Sequence, residues 1–142
     1  MYLFLKGFHN LLRWVVVFGG VWALIVMIRG LATQARWGAQ ERTAASVFTY
    51  GMHSQLLIGI VLYVITPLLA AGMTAPLSER LLLIEHATTM ILAVIAAQLG
   101  TSLARRAPTD RAKFLRATIG YAVAMLFIAW ATPWGRDLIP WV

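Results

Sequence analysis

The chain contains no cysteine. That removes disulfides, thiolate metal sites, iron–sulfur ligation and covalent c-type haem attachment. Acidic residues are nearly as scarce: five Asp and Glu stand against twelve Lys and Arg, a formal charge of +7. Charge of either sign makes up only 12% of the 142 residues, about half of the roughly 25% usual in soluble domains. Disorder is excluded as well, because disordered segments are polar and rich in charge. What fills the chain is apolar: 61% of the residues are hydrophobic. A water-soluble monomer of this size cannot bury that much apolar surface. The composition therefore points to an integral membrane protein. Its positive charge reads as the positive-inside bias of such proteins rather than as a nucleic-acid surface.

A spanning helix needs about 20 mostly apolar residues. Four stretches qualify, at about 11–28, 47–71, 81–103 and 115–132. The first is long for the apolar core of a signal peptide and is closed by Arg29, as a stop-transfer flank would be. The connections divide by charge. Arg29, Arg36 and Arg42 lie between the first two spans, and Arg105, Arg106, Arg111, Lys113 and Arg116 between the last two. Lys6, Arg13, Arg80 and Arg136 are left for the other side. The expected architecture is an all-α integral membrane four-helix bundle forming one domain over 1–142, in the inner membrane. The basic loops face the cytoplasm and both termini the outer, periplasmic side.

Trp14, Trp37, Trp130, Trp134 and Trp141 flank the spans, where amphipathic indoles anchor at headgroup level. Pro133 is expected to end the fourth helix, and Ser78 to cap the third. Gly19 with Gly20, and Ala93 with Ala97, suit close helix approach. No phosphate-binding glycine loop, zinc motif or nucleophilic triad is present.

Polar groups are costly inside a bilayer, so they mark where function sits. The three histidines are the informative subset. His9 lies at the outer mouth of the first span, and His86 about five residues into the third, roughly 7 Å deep at 1.5 Å per residue. The two share a side of the membrane. Neutral imidazoles on different helices can hold a b-type haem without bringing charge into lipid. Arg13, four residues after His9, shares its helix face, and Arg13 and Arg136 are the candidate propionate partners. Glu85 points about 100° away from His86 and is open to a proton or to Arg80 or Arg13. The competing reading makes His9 a solvated interfacial residue, His86 an interhelical hydrogen-bonding group and Arg13 a snorkelling cation. His53, toward the inner side at the depth of Gln98, has no histidine partner for a second haem. A structural hydrogen bond to Gln98 or Gln55 is the leading account of it, and a quinone carbonyl bonded to His53 is the other.

The segment Phe8-His9-Asn10-Leu11-Leu12-Arg13-Trp14 resembles the opening H-x-x-x-R-W of small bacterial four-helix membrane proteins labelled cytochrome b, themselves similar to the cytochrome b561 group. The stretch from Gly59 to Tyr63, the Glu85-His86 pair and the closing Pro133-Trp134-x-Arg136 are similar too. The resemblance spans nearly the whole chain, through short motifs. It implies a four-helix bundle and haem b ligation by His9 and His86. The family pattern carries a histidine near the inner end of the third helix, in a run A-H-x-G. Here the run is Ala97-Gln98-Leu99-Gly100, which speaks against an inner haem and against electron transfer across the full membrane.

Two functions are therefore expected from the sequence. The first is a membrane electron-transfer subunit with one haem b near the outer face, working with quinone and the other membrane subunits of a redox complex. The second is a haem-free accessory subunit of a respiratory or photosynthetic complex. In either case membrane lipids are partners, nucleic acid is not, and the chain is a subunit rather than a complete enzyme.

Overall fold

A computed structural model describes residues 1–67, 71, 74, 76–132 and 134. The described residues form four long helices: α1 (Tyr2–Thr33), α2 (Ala39–Ile65), α3 (Leu77–Arg105) and α4 (Asp110–Ala131). All four are long and apolar enough to cross a membrane. Each of α1 and α3 packs against both α2 and α4, so α1 and α3 face each other across the diagonal of the bundle. The contact of α3 with α4 is the most extensive, and that of α2 with α3 the least.

The helix ends follow local chemistry that the apolar windows do not register. α1 begins nine residues before its window, because Tyr2 to Asn10 carry no helix breaker except Gly7. It ends at Thr33, where Gln34 takes a left-handed conformation (φ 53°) and Ala35 N–H closes back onto the Gly30 carbonyl at 3.0 Å. α2 begins at Ala39, eight residues early, with Gly38 N–H donating to the Glu41 carboxylate at 2.8 Å. It stops at Ile65 rather than at 71, since Thr66 precedes Pro67 and is extended (ψ 135°). α3 starts at Leu77, directly after Pro76, so Ser78 lies inside the helix and does not cap it. Thr109 caps α4 by accepting from Ala112 N–H at 3.2 Å. α4 ends at Ala131, with Thr132 extended. Pro133, Arg136 and Trp141 lie outside the described residues.

The bundle is packed unevenly along its length. The half toward the basic loops is filled. Phe48, Phe114, Tyr121 and Met27 are wholly buried there among Ala23, Ala44, Ala93, Ala97, Ala117 and Ala124. Small residues bring the backbones close. A Cβ on Gly20 would stand 2.8 Å from the Phe48 ring, and one on Gly100 would stand 2.9 Å from the Gly120 Cα. A buried polar chain ties three helices together in this half. Thr101 donates to the Ala97 carbonyl (3.1 Å), and its oxygen meets the hydroxyls of Thr49 on α2 (2.9 Å) and Tyr121 on α4 (2.8 Å). One hydroxyl has one proton and two lone pairs, so Thr49 and Tyr121 are the donors.

The opposite half, toward the start of α1, is different. In α2 the buried residues run from Ala44 to Met52 and stop there. In α3 none occurs before Ala93. The helices nevertheless continue for several turns, and the space between them is a cavity.

A candidate cofactor site between two imidazoles

The cavity measures about 500 Å³, within the roughly 300–1,000 Å³ of ligand pockets. α1 contributes Tyr2, Lys6, His9 and Arg13 to its wall, at spacings that keep all four on one helix face. α2 adds Gln55, Gly59 and Tyr63, and α3 adds His86, Met90 and Val94. The remaining lining is mostly aliphatic.

His9 and His86 enter this space from diagonal helices. Their ring centres are 6.5 Å apart and their planes cross at 72°. His9 is seven residues beyond the start of α1 and His86 nine beyond the start of α3, roughly 10 and 14 Å along their helices at 1.5 Å per residue. His9 is therefore not at the mouth of its helix, as the apolar window suggests. The early start of α1 places it inside the bundle.

Each ring is held by a neighbouring helix. His86 Nδ1 lies 2.8 Å from the carbonyl oxygen of Ala131. That oxygen belongs to the last residue of α4, among the carbonyls that a helix end leaves without an intrahelical donor. A carbonyl only accepts, so Nδ1 carries the proton and Nε2 keeps its lone pair. His9 lies against Gly59 of α2, where a Cβ would sit 3.4 Å from His9 Cε1. The Gln55 amide donates to the backbone carbonyl of His9 at 3.0 Å. His9 Nδ1 and Gln55 Oε1 are both buried without a hydrogen bond.

Arg13 is also buried, at 8% exposure, one turn from His9 and on the same wall. Glu85 is exposed and accepts a hydrogen bond from the Trp130 indole of α4 at 3.2 Å, a partner the sequence does not suggest. Arg136 lies outside the described residues.

His53 and Gln98 do not join this site. The Thr49–Thr101 bond sets the register of α2 against α3, and one turn further along His53 comes level with Ala97 and Gln98. Gln98, however, points outward and bonds Ser102 of its own helix at 3.1 Å. The Gln55 amide is turned toward His9. Neither glutamine bonds His53, which corrects the pairing expected from their depth. His53 is half-buried and does not line the cavity.

An iron atom tests whether the pair suits a haem. With metal–imidazole bonds of about 2.0 Å, an iron between two rings puts their centres about 6.3 Å apart. The observed 6.5 Å is that span. A histidine ligand ordinarily donates its other N–H to a carbonyl or carboxylate, and His86 does so with Ala131. The donor types, the separation of the ring centres and the cavity volume are compatible with the group. No family model, curated protein or solved structure matches the chain, so the likeness to cytochrome b proteins rests on the quoted motifs alone.

Proposed function

We propose that the chain is a membrane electron-transfer subunit that holds one b-type haem in this cavity, where His9 and His86 would be the residues that bind its iron. The observation that carries the reading is the 6.5 Å separation of the two imidazoles across the bundle diagonal. When bound, the iron supplies a one-electron couple. The chain's own residues do the rest. His9 and His86 present neutral nitrogens from opposite walls, while Lys6 and Arg13 offer positive charge to carboxylates on the same side as His9. The aliphatic lining would keep water from a metal held there.

The eight basic residues in and beside the two connecting loops, against four elsewhere, favour a cytoplasmic placement for that end. The cavity then opens toward the periplasmic half of an inner membrane. One site near one face delivers electrons to a partner rather than across the whole bilayer, and quinol in the lipid and a larger redox complex are the partners proposed. Purified protein from haem-replete cells should show a sharp α-band on reduction with dithionite. A colourless preparation would reject the reading.

The accessory-subunit reading draws on a separate observation. Phe4, Phe18, Ile25, Leu57, Val64 and Leu126 leave large side chains more than half exposed along the helices, a surface for lipid or for neighbouring subunits. A colourless protein that still copurifies with a redox complex would favour it.

A further inference from the structure

Gln55 has two ends and only one is used. Its Nε2 donates to the main-chain carbonyl of His9. Because that carbonyl can only accept, the bond fixes which way the amide is turned. Oε1, an acceptor, is left buried without a partner. His9 Nδ1, across the seam on α1, is likewise buried without a hydrogen bond, and it carries a proton whenever Nε2 gives its lone pair to a metal. The two unmet groups are complementary. Gly59, one turn from Gln55 on α2, holds the Cε1 and Nδ1 side of the same ring, with His9 Nδ1 4.0 Å from the position of an added Cβ. The ring therefore presents Nδ1 to the helix that carries Gln55.

We propose that Gln55 is a positioning residue for His9, its Oε1 accepting the Nδ1–H of the imidazole when Nε2 is bound to haem iron. The inference rests on the haem reading and adds to it a named acceptor for the second ligand. His86 takes its acceptor from the end of α4, and His9 takes its own from the middle of α2. Each of the two histidines is then oriented by a helix other than its own.

Two substitutions separate this role from a simple clamp on the α1 backbone. Gln55→Met removes both hydrogen bonds at similar volume. Gln55→Glu removes the donor to the His9 carbonyl but keeps an acceptor for Nδ1–H. Haem titration of the purified full chain, redox potentiometry and circular dichroism are the measurements. Gln55→Met should weaken haem affinity by about 10- to 100-fold, the usual loss when an outer hydrogen bond to a ligand is removed. Gln55→Glu should retain affinity near the wild-type value and move the reduction potential downward, because a carboxylate makes the imidazole a stronger donor to iron. Equal loss in both variants at unchanged helicity would overturn the inference and leave Gln55 a backbone clamp. A potential unmoved in Gln55→Glu would also overturn it. Wild-type protein that binds no haem would instead overturn the function on which it rests.

Discussion

His86 is tied to Ala131 across the α3–α4 seam by a 2.8 Å hydrogen bond from its Nδ1 to the last carbonyl of α4. The bond gives the last carbonyl of α4 a donor and leaves the lone pair of His86 on Nε2. Losing it removes both functions at once. His86→Ala should cost about 1 kcal/mol of stability, the net worth of one hydrogen bond, read as a lower thermal midpoint in detergent. It should also abolish the sharp α-band of the low-spin haem. His53→Ala, outside the cavity, should leave the spectrum intact.

Gly59 provides a graded test of the opposite wall. An added Cβ meets His9 Cε1 at 3.4 Å, an ordinary contact. Gly59→Ala should keep the fold and haem binding. Gly59→Leu extends into the space of the ring and should reduce haem content severalfold with helicity preserved. Absorbance per mole of protein, alongside circular dichroism, checks both.

Where α3 crosses α4, the tolerance is far smaller. A Cβ on Gly120 would lie 2.8 Å from the Ala96 carbonyl oxygen, and one on Gly100 would lie 2.9 Å from the Gly120 Cα. Both obstacles are backbone and cannot rotate away. Gly120→Ala should destabilise the bundle by about 1–3 kcal/mol, the usual cost of overpacking. Denaturant titration in mixed micelles would measure it, and an unchanged midpoint would mean that the helices separate at little cost.

The Thr49–Thr101–Tyr121 chain predicts an unequal pair of mutants. Tyr121→Phe removes one outer donor and should cost about 0.6 kcal/mol, typical of hydrogen bonds between membrane helices. Thr101→Val removes the shared acceptor and leaves two buried hydroxyls unmet, at about 1–3 kcal/mol for each such group. Equal losses in the two variants would contradict the shared-acceptor arrangement.

The four helices were legible in the sequence because apolar length is a direct consequence of bilayer thickness. Their ends were not. Pro67 and Pro76 bound α2 and α3 by backbone sterics, which an apolar window does not register. The nine residues before the first window, from Tyr2 to Asn10, are helical without being uniformly apolar, and that moved His9 into the bundle. The candidacy of His9 and His86 followed from the cost of polar groups in lipid. Their approach to 6.5 Å did not, since it depends on the diagonal placement of α1 and α3. The same cost singles out His53, Gln55 and Gln98 in the sequence, yet only the fold shows that Gln55 turns to the His9 carbonyl and Gln98 to Ser102. Gly100 and Gly120 carry no such signal at all, because neither shows its partner until the helices cross.

The central claim is that two imidazoles grip one iron, and removing them one at a time tests it most directly. Haem-to-protein stoichiometry and low-temperature electron paramagnetic resonance should be recorded on wild type, His9→Ala and His86→Ala. The account predicts one low-spin haem per chain in the wild type, and either no haem or a high-spin signal in each variant. A low-spin haem that survives both substitutions, or a wild-type protein without haem, would contradict it.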